Sequence, residues 1–307
     1  MELGLCMTVR DEAANIVECL SPIIDLFARI VIVDTGSRDG TRALLRSRFG
    51  IEPLVGELDA SDCLSLATHR NRGFDALGTR WIMTLDADER VDRDELLRVM
   101  DLDDGALPAG LFCGWDTWVG GGAPIEDYKL CIFRGEHRHQ GRIHDTVQPS
   151  LRQAGARAEW TDRLRIRHFP DPSRAQSKRD SYLWRLACAR QRNPDWLRYD
   201  WFLGQRNFAE GRLDDALRIL VPLHERRPPL FPVESLNASM LIAAVHAARG
   251  EAGAMRRTLL DALRYHDLVA EDFEVGVNFR LRPWLEAALN ELERGRLDLV
   301  RPYDFPY

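Results

Sequence analysis

The chain is 307 residues long, 45% hydrophobic and 29% charged, with a formal net charge of -6. This length accommodates one large α/β domain and a smaller appendage, and the composition is that of an ordinary globular chain. The acidic balance argues against a dedicated nucleic-acid binder, which carries a basic excess to neutralise phosphates.

In chain order, residues 3–9 read as a buried strand, short, apolar and followed at once by polar residues. Residues 12–27 carry apolar side chains at helical spacing (Ile16, Val17, Leu20, Ile23, Ile24), with a break or bend at Pro22. Residues 30–33, Ile-Val-Ile-Val, form a second strand of the β-branched kind found in central parallel positions. It runs into a polar turn over 34–41, which opens a helix over 41–49. A third strand is expected over 51–55, a helix over 69–77, and a fourth strand over 80–85 that ends in Asp86-Ala87-Asp88. Asp92 then caps a helix reaching Met100. Strands alternating with helices at these intervals indicate βαβ units and a mostly parallel, Rossmann-like sheet.

Beyond about residue 175 the pattern is helical throughout, with Trp184, Leu186, Trp196 and Trp201 as apolar anchors. Leu203-Gly204, Gly211, Ala216, Leu220 and Pro228 match the small, apolar and proline positions of the tetratricopeptide repeat, with Asn207 where the repeat has tyrosine. Ala243, Gly250, Leu259 and Ala262 repeat the pattern more weakly. So few repeats do not make a free-standing solenoid. The expected division is an α/β domain over 1–172 and an all-α, tetratricopeptide-like tail over 173–307, which packs on the first domain or joins a homodimer.

Three polar clusters, at residues 8–12, 34–41 and 86–89, fall at the carboxyl ends of strands, where such sheets place their ligands. Asp86 and Asp88 leave the sheet together and are spaced to share a Mg2+ or Mn2+ ion with a substrate diphosphate. Asp34 stands at a strand tip as an acceptor for a nucleobase or ribose, with Thr8, Arg10 and Glu12 completing a nucleoside pocket. The plainer readings are a solvated strand-end turn and an Asx-rich connection.

The six cysteines (Cys6, Cys19, Cys63, Cys113, Cys131, Cys188) form no C-x-x-C pair, which fits buried, reduced thiols rather than a disulfide framework or zinc site. The opening residues are not a signal peptide, and no apolar run approaches the ~20 residues needed to span a bilayer. A cytoplasmic location follows, with peripheral contact at the inner face of the membrane left open.

The runs Leu5-Cys6-Met7-Thr8-Val9-Arg10-Asp11-Glu12, Val33-Asp34-Thr35-Gly36-Ser37-Arg38-Asp39-Gly40-Thr41, His69-Arg70-Asn71-Arg72-Gly73 and 81–89 occur in this order over about residues 1–170. Together they resemble a family-2 glycosyltransferase of the GT-A fold, in the subgroup whose catalytic domain is followed by tetratricopeptide-like helices. The resemblance implies that Asp34, Thr8, Arg10 and Glu12 hold the nucleoside, that Arg70 lies near the base, and that Asp86 and Asp88 serve the metal-diphosphate. His168, in the run His168-Phe169-Pro170, is implied as a third metal ligand, or else as a histidine stacked in a domain junction. Members often carry alanine at the position of His69 and glutamate at that of Asp145.

The resemblance also implies inverting transfer of a hexose from a nucleotide-diphosphate sugar, with UDP-glucose or UDP-N-acetylglucosamine as default donors. The acceptor is a peptide, a glycan or a lipid-linked saccharide. Such a reaction needs a carboxylate base, and the acids available are Asp116, Glu126, Asp127, Glu136 and Asp145. Asp127 and Asp145 are favoured because Tyr128, Lys129 and His144 lie beside them. Trp115, Trp118 and Gly120-Gly121-Gly122 form either an aromatic loop that closes over the donor or a hairpin tip. The rival activities are a sugar nucleotidyltransferase, whose glycine-rich loop after the first strand is missing here, and a non-catalytic scaffold.

Overall fold

The computed structural model describes residues 1–119, 122–171 and 175–305, with 175–180 as backbone alone. The chain divides into two compact units, Met1–Ser181 and Tyr182–Asp304. The boundary expected at 172/173 lies outside the described residues.

The first unit runs β1 (Leu3–Val9), α1 (Ile16–Leu20), β2 (Arg29–Asp34), α2 (Thr41–Phe49), β3 (Leu54–Val55), α3 (Ala67–Leu77), β4 (Trp81–Leu85), β5 (Glu89–Val91), α4 (Arg93–Met100), β6 (Gly110–Thr117), β7 (Ile125–Arg134), α5 (Gln148–Gln153) and β8 (Ala158–His168). The helix expected over 12–27 is reduced to α1 and a 3-10 turn at Ile24–Leu26, with Pro22, which cannot continue a helix, between them. Asp92 caps α4 by accepting the backbone N–H groups of Asp94 and Glu95.

The eight strands form one sheet in the order β3-β2-β1-β4-β7-β6-β8-β5. The first four are parallel to one another. β7 then enters antiparallel to β4 and β6, and β5 antiparallel to β8. This half was not legible in the sequence, where only the residues joining β6 to β7 were read as a hairpin tip; Gly120 and Gly121 of that tip lie outside the described residues.

The strand order forces the sheet to curl. β4 and β5 have three strands between them, ~19 Å of flat sheet at ~4.8 Å per strand. Yet Leu85 and Glu89 are only four residues apart, ~14 Å at full stretch. β5 must therefore fold back over the end of β4, and the Asp86–Asp88 turn is the hinge of that fold. On the other side α3 lies close to the parallel strands: a Cβ on Gly73 would stand 2.5 Å from Cys6 Sγ and 3.2 Å from Val33 Cγ2. The core beneath is built from β1, β2 and β4 residues such as Leu5, Met7, Ile32, Trp81 and Met83.

Among the described residues the second unit is wholly helical: α6 (Ala175–Arg192, begun in the first unit), α7 (Arg198–Ala209), α8 (Leu213–Arg226), α9 (Pro232–Ala248), α10 (Ala252–Leu268), α11 (Phe273–Val277) and α12 (Leu281–Glu293), closed by a 3-10 turn at Leu297–Leu299. The small position of the repeat has a steric reason, since a Cβ on Gly204 would meet Leu220 of α8 at 2.3 Å. Asn207, in the place of the usual tyrosine, is buried and donates to the Leu203 carbonyl of its own helix. Among the described residues no helix is long and apolar enough to cross a membrane. Cys6, Cys19, Cys113 and Cys131 are buried free thiols. Neither Cys63 nor Cys188 is a free thiol, contrary to the expectation of six reduced thiols; spacing along the sequence carries no sign of it.

Candidate functional site

The first two polar clusters lock each other. The backbone N–H groups of Asp11, Glu12 and Ala13 donate to Ser37 Oγ (2.9 Å), Thr41 Oγ1 (2.8 Å) and Asp39 Oδ2 (3.0 Å), and the Arg38 N–H donates back to Asp11 Oδ1 at 2.7 Å. Glu12 Oε2 accepts from Asn15 at the start of α1, and Arg10 is exposed. Much of the polarity that marked these runs is therefore structural.

Asp34 and Thr8 are different. Asp34 is fully buried, and its Oδ1 accepts from the Gly36 and Ser37 backbone at 3.1 and 3.0 Å and from Arg42 Nε at 2.7 Å. Burial raises its pKa, and Arg42 with the Ser37 and Gly36 donors outweighs that, so the carboxyl is held below its ordinary range. Its Oδ2 and the buried Thr8 Oγ1 have no hydrogen-bond partner among the described residues. The two residues stand on neighbouring strands, Thr8 opposite Val33 and Val9 opposite Asp34. A buried polar atom left unpaired costs about 1–3 kcal/mol unless a ligand takes it.

At the end of β4, Glu89 organises the acid pair. Its carboxylate is fully buried; Oε2 accepts the Asp86 N–H at 2.9 Å, and Oε1 accepts Trp115 Nε1 at 2.8 Å and Lys129 Nζ at 2.6 Å. The Asp86 carboxylate takes Lys129 Nζ on Oδ2 at 3.0 Å and Arg70 Nη2 on Oδ1 at 3.5 Å, and keeps 44% of its side-chain surface open. Burial opposes its charge, and Lys129 and Arg70 more than offset that, lowering its pKa far below the usual value.

The three expected metal ligands therefore divide. Asp86 faces two cations, while Asp88 Oδ2 faces His168 Nε2 at 3.6 Å. β5 pairs with β8 so that Glu89 lies opposite His168, and the Phe169 N–H donates to the Asp88 carbonyl at 2.9 Å. His168 Nδ1 is 3.1 Å from Thr117 Oγ1, and its ring is stacked on Trp115 at 4.9 Å. Among the described residues no group of three or more His, Cys, Asp or Glu is arranged to hold an ion. A two-residue site fits the chemistry nonetheless. Ligand atoms each ~2.1 Å from a divalent ion stand ~3–3.6 Å apart, and an imidazole held through its other nitrogen is the usual disposition of a ligating histidine.

Arg70 joins this turn to the loop after β7. Its Nη1 donates to Asp145 Oδ1 at 2.5 Å, and His139 Nδ1 lies 2.7 Å from Asp145 Oδ2. Asp145, 4% exposed, thus has both oxygens engaged; burial raises its pKa, and Arg70 and His139 pull it well below the carboxylate range. Asp127 sits elsewhere, opposite Trp115 in the β6–β7 pairing and on the same face of β7 as Lys129. Its Oδ1 accepts the Tyr128 N–H at 2.8 Å. Asp116 and Glu126 turn to Arg165.

Residues 5–146 match the sequence model of the family described as glycosyl transferase family 2. This part of the chain resembles a family-2 glycosyltransferase domain. A TPR repeat-containing protein of Synechococcus elongatus is 39% identical over 151 residues, which are 49% of this chain and 36% of that protein, so the chain spans little more than a third of that relative's length. Among solved structures, S. aureus TarS 1–349 in complex with UDP-GlcNAc aligns with a TM-score of 0.48 at 13% identity, over 96% of this chain and 93% of that one. GalNAc-T7 with UDP, GalNAc and Mn2+ aligns with a TM-score of 0.41 at 12% identity, over 55% and 44% of the two chains.

The first unit contains site residues that sequence reasoning passed over, Arg42, Thr117 and His139, and others that it noted only as neighbours: Glu89 in the third polar cluster, Trp115 in the aromatic loop and Lys129 beside Asp127. Arg42 and Glu89 lay within reach of a local argument, eight and three residues from the acids they serve. Trp115, Thr117 and Lys129 reach the site through the pairing of β6, β7 and β8, and His139 through the loop after β7 that Asn71 of α3 holds.

Proposed function

We propose that this domain transfers a hexose from a uridine-diphosphate sugar to an acceptor hydroxyl on a peptide, glycan or lipid-linked saccharide, with inversion. The observation that carries the donor half is the pair of buried, unpartnered atoms, Asp34 Oδ2 and Thr8 Oγ1. A carboxylate there accepts from a base that presents an imino N–H. Uracil does so at N3, where cytosine presents a lone pair; Thr8 Oγ1, the other unpartnered atom, stands on the neighbouring strand and would serve a different polar group of the donor.

Asp88 and His168 would hold a divalent ion, Mg2+ or Mn2+, with diphosphate oxygens completing its shell. When bound, the ion supplies Lewis-acid neutralisation of the leaving diphosphate. Thr117 and Trp115 keep the His168 ring in place, and Arg70 with Lys129 keeps Asp86 ionised and oriented towards the donor.

Asp127 is the base in this reading, because Asp145 is committed to Arg70 and His139 while Asp127 lies one pleat (~7 Å) beyond Lys129. The acceptor O–H proton passes to the carboxylate as its oxygen bonds to the anomeric carbon. The bond from that carbon to the β-phosphate oxygen breaks, and its electron pair leaves with the diphosphate.

Calorimetric titration with UDP tests the donor half. The wild-type protein should bind UDP more tightly with Mn2+ than in EDTA, and Asp88→Ala should abolish that difference. Absence of UDP binding under both conditions would sink the reading.

A further inference from the structure

We propose that Lys129 is a catalytic residue that places a fixed positive charge on the β-phosphate of the donor, beside the divalent ion rather than instead of it. This rests on the nucleotide-sugar reading above and assigns a residue to its leaving group.

An ammonium has three N–H donors. Lys129 commits one to Glu89 Oε1 at 2.6 Å and one to Asp86 Oδ2 at 3.0 Å, and the third has no partner among the described residues. The side chain is 23% exposed, so that third donor is reachable from solvent. Its aim is fixed from three sides: by buried Glu89, by Asp86, and by Trp115, whose ring centroid is 5.9 Å from Nζ. A lysine so held has given up the conformational freedom that weakens surface ion pairs. A point charge with a spare donor suits a phosphate oxygen.

The balance of charge points the same way. Asp86, Asp88 and Glu89 sit within one turn; Lys129 faces Asp86 and Glu89, the more distant Arg70 faces Asp86, and the His168 imidazole faces Asp88. One divalent ion on Asp88 and His168, together with Arg70, at most matches those three acids, so Lys129 is the charge left to meet the incoming diphosphate. A fixed cation on the Asp86 side of the turn meets the diphosphate from the flank opposite the ion. Because Lys129 is built in, part of the donor affinity persists without metal.

The test is calorimetric titration of UDP and UMP, in EDTA and in Mn2+, with wild type, Lys129→Met, Lys129→Arg and Asp88→Asn. In EDTA, Lys129→Met should weaken UDP binding about 10- to 100-fold and leave UMP binding unchanged, because UMP lacks the β-phosphate. Lys129→Arg, which keeps the charge, should restore most of the loss. Asp88→Asn should match wild type in EDTA and lose only the gain from Mn2+. If Lys129→Met fails to fold because Glu89 is left uncompensated, Lys129→Met/Glu89→Gln removes both charges and carries the same expectation.

Equal loss for UDP and UMP, or unchanged UDP affinity in a folded variant, would overturn the role of Lys129. So would a loss confined to the UDP-sugar. Wild-type protein that binds UDP, with or without Mn2+, keeps the donor reading alive in each of those cases. Wild-type protein that binds UDP under neither condition overturns both.

Discussion

Asp34 commits one carboxylate oxygen to its own turn and to Arg42, and leaves the other buried and unpaired. Asp34→Asn replaces one of the two oxygens with an NH2 group that has nothing to offer an imino N–H. UDP affinity should fall by about tenfold or more, at a cost near 1.5–3 kcal/mol, and titration against UDP and free uridine should show the same loss for both. Asp145 yields a prediction in pH. Its folded pKa lies well below the unfolded value of ~3.9, so its contribution is full above about pH 4 and is lost as the pH falls through the folded value. Asp145→Asn should flatten that acid limb and cost about 3–5 kcal/mol at neutral pH, because Arg70 loses its buried partner. Denaturant unfolding across the acid range checks both, and an acid limb of undiminished slope in the variant would refute the assignment. At this scale the sequence was informative about position, since Asp34 and Asp88 stand at strand ends as expected. It noted Lys129 only as a neighbour of Asp127, because the contacts of Lys129 with Asp86 and Glu89 depend on which strand β7 lies beside.

The elements divide by the same logic. β1, β2 and β4 announce themselves because a strand buried on both faces is a run of apolar residues, and Leu5, Ile32 and Met83 belong to such runs. β7 is only half-buried along Ile125–Leu130 and carries Glu126, Asp127 and Lys129, so nothing in its periodicity separates it from a loop. β5 has three residues, too few for any pattern. The helix register makes its own prediction through Gly73. Alanine is the better helix former by ~1 kcal/mol, but its Cβ would meet Cys6 Sγ at 2.5 Å. Gly73→Ala should therefore destabilise the protein by about 1–3 kcal/mol, and Cys6→Ala/Gly73→Ala should recover much of that loss. Urea midpoints for the two variants decide the matter, and a Gly73→Ala protein more stable than wild type would show that α3 shifts freely.

In the whole molecule, two units with separate cores need not melt together. A ligand that binds only one of them raises only that transition, by about 4 kcal/mol at a thousandfold excess over its dissociation constant. UDP with Mn2+ should shift a single calorimetric transition. Gly204→Val, which drives a side chain into Leu220, should lower the other and leave UDP affinity in place. One cooperative transition shifted by both would show that the units unfold as one.

The curled sheet has a further consequence, in the order of events during synthesis. β5 follows β4 within four residues, but its partner β8 is the last strand made, and the Glu89–His168 pairing joins residues 79 apart in the chain (168 − 89). Contacts so distant in sequence form late, since the loop they close must be ordered first. A growing chain that has passed Asp88 thus carries both acids in order and still lacks the partner proposed to share an ion with them. That proposed ion site comes into being only when β8 has emerged and drawn β5 across the sheet, so termination between Asp145 and His168 would leave both acids in place with no His168 beside them.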